Sequence, residues 1–132
     1  MMLGRINGLF LVTMVLLQSS CTQPKAPERK PDLKGLADET VVRISEKNFP
    51  AAVTHFDATM VKALPPEKLE EAWQSVIQSL GSFQKTTGHR VASEQGYDVV
   101  YVQCQFEKGK IDAKVVFNAD AKVSGLFFVP AH

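Results

Sequence analysis

VVYVQCQFEKGKIDAKVVFN, residues 99–118, is the stretch whose reading decides the fold. Val100, Val102, Cys104 and Phe106 alternate with Val99, Tyr101, Gln103 and Gln105. Beyond Lys108 and Gly109, Ile111, Ala113, Val115 and Phe117 alternate with Asp112, Lys114, Val116 and Asn118. A period of two is that of a strand with one apolar face, because successive side chains point to opposite sides of a pleated chain. With Lys108 and Gly109 as the two central residues of a tight turn, Phe106 stands opposite Ile111, Cys104 opposite Ala113, Val102 opposite Val115 and Val100 opposite Phe117. Each of these pairs joins apolar groups on one face, while Glu107 meets Lys110 and Gln103 meets Lys114. A slip of one residue would send the whole apolar set to the other face, so the two strands are expected to pair as an antiparallel hairpin.

Outward from this hairpin the signals weaken. Downstream, VSGLFFVP at 123–130 is apolar in both phases, which predicts a strand covered on both sides. The turn at Ala119 to Lys122 leaves open whether Leu126 and Phe128 or Phe127 and Val129 join the face that carries Tyr101 and Val116. Upstream, SFQKTTGHRVASEQ at 82–95 is polar enough for an edge strand, with Gly88 at a bulge.

The first half has helical spacing instead. Leu36, Ala37, Val41 and Ile44 form one stripe, and Asn48 with Pro50 stops that helix and caps another whose apolar side is Ala52, Val53 and Phe56. Asp57 and Thr59 suit a turn or a new cap before Met60 and Leu64. After Pro65 and Pro66, Leu69, Ala72, Trp73, Val76, Ile77 and Leu80 share a face opposite a run of Glu and Gln, and Gly81 marks the end. Trp73 reads as a core anchor. Three helical pieces followed by about four antiparallel strands predict an α+β domain with its N-terminal helices packed on one sheet face.

The N-terminus carries an address. LFLVTMVLL at 9–17, behind the single charge of Arg5, is shorter than the ~20 apolar residues a bilayer span needs and matches a secretory signal. Ser19, Ser20 and Cys21 follow, an order that resembles the lipobox of bacterial lipoproteins, although Gln18 stands where that motif has leucine. Cleavage by the ordinary signal peptidase fits less well, because Gln18 also occupies the third position before Cys21. An uncleaved anchor is the third reading. The expectation is a signal peptide at 1–20, a lipidated Cys21 beginning a tether at 21–34, and one domain at 35–132. The lipid would hold the protein in the cell envelope, at the outer membrane of a double-membraned cell, since Thr22 is not the aspartate that signals retention. Between Thr22 and Lys34, four basic and two acidic residues with three prolines leave little to bury. From Gly35 onward there are ten basic and twelve acidic residues, which argues against a nucleic-acid binder. The remaining 98 residues suffice for one core. With Cys21 lipidated, Cys104 has no partner and the fold must hold without a disulfide.

NFPAAVTHFDATMVKALPPEKLEEAW at 48–73, GSF at 81–83 and the run from Gly96 to Pro130 resemble a bacterial domain-of-unknown-function family with a nuclear-transport-factor-2-like, cone-shaped fold. The likeness covers about residues 36–130 and is most specific in FDATM, in the LPP helix start with Trp73, and in the closing GLFFVP. It implies a domain that occurs alone behind lipoprotein signals or joined to an α/β-hydrolase. It carries over no catalytic residue, and the fold hosts enzymes and binding modules alike.

A direct search for chemistry returns little. His55, His89 and His132 form no pair at metal-ligand spacing, and neither a phosphate loop nor a nucleophile elbow is present. Cys104 on the inward phase reads as a buried hydrophobe. No cofactor, metal or catalytic residue is assigned. The candidate pocket or interface is Tyr101, Gln103, Asp112, Val116 and Phe128, with Gln105 and Lys114 on the same polar phase, a set that a solvated sheet face would also explain. The expected function is a non-catalytic envelope lipoprotein that binds a protein partner or a second copy of itself. The alternative is a small-molecule binder or simple enzyme with a cavity between helices and sheet, favoured if a carboxylate or tyrosine lies buried there.

Overall fold

The computed structural model describes residues 31–131; the signal segment, Cys21, most of the tether and His132 lie outside the described residues. The elements are α1 (Leu33–Ser45), α2 (Phe49–Ala52) continued by a 3₁₀ turn (Val53–His55), α3 (Ala58–Ala63), α4 (Pro66–Leu80), β1 (Phe83–Glu94), β2 (Tyr97–Phe106), β3 (Gly109–Phe117) and β4 (Val123–Pro130). The four strands form one antiparallel sheet in the order β1-β2-β3-β4. This is an α+β arrangement consistent with the nuclear-transport-factor-2-like fold.

Each helix begins where a side chain or a proline settles its free amides. Asp32 accepts from the Gly35 N–H at 3.1 Å, so α1 starts at Leu33 and takes in two residues expected to belong to the tether. Its buried stripe is Ala37, Thr40, Val41 and Ile44. Thr40 is tolerated there because its hydroxyl donates to the Leu36 carbonyl at 2.9 Å. Asn48 occupies the cap position of α2 but makes no side-chain capping bond. Asp57 does cap: its Oδ1 accepts from the Met60 N–H at 2.7 Å, which makes α3 a separate helix where the sequence left a choice between turn and cap. The same aspartate ties the helices to the sheet. Its N–H donates to the Val123 carbonyl at 2.9 Å and its Oδ2 accepts from Asn118 Nδ2 at 3.2 Å.

Helix α4 opens on Pro66 and ends at Gly81, with Leu69 and Trp73 buried. The Trp73 ring lies 5.8, 5.5 and 5.7 Å from the rings of Phe83, Phe106 and Phe128, in tilted arrangements that favour aromatic contacts. The core lies between the helices and one face of the sheet, where Val100, Val102, Cys104 and Phe106 of β2 meet Ala113, Val115 and Phe117 of β3.

The inward face of the β2–β3 hairpin is as expected, but its register differs. Phe106 pairs with Gly109, Cys104 with Ile111, Val102 with Ala113 and Val100 with Val115, a shift of two residues that puts Glu107 and Lys108 at the turn. A shift of two preserves the face of every side chain, and the turn is held from outside the hairpin. The Lys108 N–H donates to the Leu80 carbonyl at 2.8 Å, the Glu107 N–H to Ser82 at 3.1 Å, and the Glu107 carboxylate accepts from the Ser82 N–H at 2.8 Å. Gly109 therefore lies in β3, not in the turn.

Strand β1 is longer than its polar sequence suggests and pairs with β2 through a two-residue turn, Gln95-Gly96, with both residues at positive φ. That is the turn geometry whose twist matches paired strands. The register slips between Thr86 and Gly88, which places the bulge where Gly88 suggested it. In β4, Leu126 pairs with Val115 and Phe128 with Ala113, so these two join the core and Phe127 and Val129 take the opposite face. The expectation that β4 is covered on both sides does not hold among the described residues: Phe127 is 54 % exposed.

Candidate functional site

The sheet face opposite the helices is built by the alternate residues of four strands. Across β1, β2 and β3, Arg90 stands beside Tyr101 and Tyr101 beside Lys114, while Gly88 stands beside Gln103 and Gln103 beside Asp112. On β4, Phe127 is opposite Lys114 and Val129 opposite Asp112. The corrected register matters here. It puts Lys114 next to Tyr101 and Asp112 next to Gln103, where a turn at Lys108-Gly109 would have put Lys114 next to Gln103.

Two linked charge arrangements result. Tyr101 Oη donates to Glu94 Oε2 at 2.5 Å, and Lys114 Nζ donates to Glu94 Oε1 at 2.9 Å. The hydrogen bond from Tyr101, then that from Lys114, hold the Glu94 carboxyl below its ordinary range, and the Lys114 ammonium is pushed up mainly by its bond to Glu94. On the other side of the ring, the Arg90 guanidinium lies over Tyr101, 3.8 Å from its centroid. Arg90 also comes within 3.9 Å of Asp112 Oδ2. That separation is beyond a hydrogen bond. Asp112 is 3 % exposed, and no hydrogen bond to its carboxylate is made among the described residues. Gly88, His89, Arg90, Tyr101, Gln103 and Asp112 line a half-open pocket of about 240 Å³.

Tyr101, Gln103 and Asp112 of the sequence-derived candidates thus meet at one pocket. Val116 lies on the same face opposite Val99. Phe128 does not belong to it: its ring packs on Trp73 on the helical side, because β4 takes the phase that puts Leu126 and Phe128 inward. Arg90 and Glu94 were not singled out in the sequence. The signal that could have found them is Gln95-Gly96, two residues between two runs that can alternate, which fixes β1 against β2 and places Arg90 beside Tyr101.

His55 and His89 are engaged with α1. His55 Nε2 is 2.6 Å from Glu39 Oε2, whose other oxygen accepts from Arg43 at 2.5 Å; the His55 hydrogen bond leads in holding Glu39 below the ordinary carboxylate range. His89 Nε2 is 2.7 Å from Asp38 Oδ1. Among the described residues no three His, Cys, Asp or Glu side chains are grouped to hold a metal ion. Cys104 is fully buried and its Sγ donates to the Val102 carbonyl at 3.4 Å; burial pushes its thiol up to about 12, far from the range of a nucleophile.

The family described as "Protein of unknown function (DUF3887)" matches residues 37–126. Esterase EstD of Thermotoga maritima is 26 % identical over 91 residues, a match that covers 69 % of this chain and 22 % of that protein. The chain therefore spans less than a quarter of the length of that relative. No solved structure matches.

Proposed function

The chain belongs to this family of proteins of unknown function, and from that premise we propose that it is a non-catalytic cell-envelope module, held to the membrane through a lipid on Cys21, whose outer sheet face associates with a second copy or with a protein partner. The observation that carries the reading is Phe127. It is 54 % exposed on a four-stranded face that the core-forming helices do not cover, beside Val129, Val116 and the Tyr101 network. Exposed aromatic residues flanked by polar groups are a mark of interfaces, since monomers seldom leave wide apolar patches in water. The polar groups beside it are already paired, Tyr101 and Lys114 with Glu94, so covering them leaves no lone charge there and costs less than burying an unpaired one. The esterase relative is compatible with this reading, because a domain that makes up about a fifth of that protein can serve its assembly as well as its chemistry.

Light scattering of the chain, with and without Phe127→Lys, tests it. The parent is expected to run larger than one copy, alone or with a partner co-purified from its host. The substituted chain should be monomeric with an unchanged circular dichroism spectrum, because Phe127 contributes nothing to the helical core. A parent that stays monomeric at high concentration and carries no partner from its host sinks the proposal.

A further inference from the structure

The 240 Å³ pocket holds a feature that association through Phe127 does not use: a buried carboxylate that accepts no hydrogen bond among the described residues and meets the Arg90 cation only at the long ion-pair distance of 3.9 Å. Asp112 is 3 % exposed, whereas Arg90, 3.9 Å away, has a side chain 49 % exposed. A carboxylate withdrawn from water needs donors, so one that accepts none among the described residues suits a ligand that brings them. Arg90 is engaged elsewhere as well, its guanidinium carbon lying over the Tyr101 ring, 3.8 Å from the centroid.

The other polar groups of the pocket narrow what can fit. Tyr101 Oη is committed to Glu94, and Gln103 Oε1 accepts from Thr87 Oγ1 at 2.7 Å, which leaves the Gln103 amide N–H₂ as a further donor. An anion alone would meet the Asp112 charge, and a cation alone would meet Arg90. A sugar would want an open aromatic face, and Arg90 already occupies one face of the Tyr101 ring. What matches one fixed negative and one fixed positive group about 4 Å apart is the reverse pair on one small molecule. The volume is several times the ~30 Å³ share of a water molecule, enough for such a group.

We infer that this pocket is a binding site for a small zwitterion carrying its ammonium and carboxylate on one carbon, an α-amino acid, with the ammonium on Asp112 and the carboxylate on Arg90 and the Gln103 amide. The four charges then form a closed ring in which every neighbour is opposite, with the ligand seated in the pocket against both Asp112 and Arg90. This site does not rest on the association proposed above, and its test is made on the Phe127→Lys chain so that assembly cannot mask it.

Isothermal titration of that full-length chain with a panel of L-α-amino acids is the experiment, with ethylamine, propionate and glucose as controls that carry one feature each. At least one amino acid should bind one to one at up to ~10 mM, and the controls should not. Asp112→Asn and Arg90→Gln should each weaken binding by about tenfold or more, as the loss of a hydrogen bond to a charged partner does. Melting curves report whether each variant is folded; should Asp112→Asn fail to fold, Arg90→Gln at a half-exposed position carries the comparison. No heat from any amino acid, binding that survives both substitutions, or equal binding of ethylamine or glucose overturns the inference. Oligomeric state is read separately, so a monomeric parent with a working amino-acid site would sink only the association.

Discussion

Tyr101 shows how one residue organises the outer face: its hydroxyl fixes Glu94, its ring seats Arg90, and it is 9 % exposed on the face opposite the core-forming helices. Removing the hydroxyl should therefore be read at Glu94. In the native chain the Glu94 carboxyl is expected to titrate below its ordinary value of 4.5, and Tyr101→Phe should move it upward, with Lys114 remaining as its partner. The sign follows from linkage. A carboxyl whose folded value is depressed stabilises the fold above its unfolded value, and that stability is lost as pH falls from 4.5 through the lowered one. Lys114, raised in the fold, contributes fully below 10.5 and loses its part as pH rises past that value. NMR titration of the Glu94 side chain in both chains checks this, and an unshifted midpoint in Tyr101→Phe would show that the hydroxyl is not its partner. Cys104 makes the contrasting case on the inner face. With its thiol pushed up to about 12 and no exposed surface, it should resist alkylation at neutral pH and react only after unfolding, as a thiol titration with and without denaturant will show.

At the scale of the element, the glycines tell turn from strand. Gly96 has φ +86 in a turn whose other central residue, Gln95, is also left-handed at φ 53. A Cβ at Gly96 meets nothing, so Gly96→Ala should cost only the conformational strain, ~1–2 kcal/mol. Gly109 lies in β3 without positive φ, and an added Cβ would sit 3.5 Å from Leu80 Cδ2, an ordinary contact. Gly109→Ala should therefore be close to neutral, within ~0.5 kcal/mol in urea unfolding. A cost at Gly109 equal to that at Gly96 would restore the turn at Lys108-Gly109 and with it the other register. The same pair shows how far the sequence could be read. Alternation identifies the inward face, because Val100, Val102, Cys104 and Phe106 are apolar whichever partner they have. It does not separate registers two residues apart, since Cys104 is as well matched by Ile111 as by Ala113; backbone bonds from Glu107 and Lys108 to Leu80 and Ser82 decide, and those join parts of the chain far apart in sequence. The pocket was legible to the same degree. Tyr101, Gln103 and Asp112 follow from the outward phase, whereas Arg90 and Glu94 sit in a strand whose composition reads as polar edge and whose phase changes at the Thr87 bulge. Phe128 was misplaced because a strand apolar in both phases carries no phase signal of its own.

For the whole molecule, the two faces of the sheet divide the work. The helices and the aromatic cluster around Trp73 occupy one, and the charged pocket and Phe127 occupy the other. A domain of this plan can be attached at its N-terminus without obstructing the outer face, provided the attachment is a chain and not a packed element, and the composition of residues 22–31, ahead of the Asp32 cap of α1, suits a chain. The proposed lipid on Cys21 is the anchor such a tether requires. One saturated chain gives only marginal membrane binding, so a diacylglycerol on the cysteine thiol, with two chains, would hold the domain firmly. Among the described residues the buried core lies from Leu33 onward, so loss of the anchor should leave that core intact. Cys21→Ala is therefore expected to separate address from structure. Expressed in a bacterial host, the native chain should enter the detergent phase and incorporate labelled fatty acid. The substituted chain should lose the label, and either leave the membrane or stay there with its signal segment uncut. Its melting curve after release should match that of the native domain. Labelling that persists in Cys21→Ala would place the lipid elsewhere, and a native chain that never labels would leave Gln18 as the reason: a polar residue where the lipobox has leucine would then have kept the peptidase and the acyl transfer from acting.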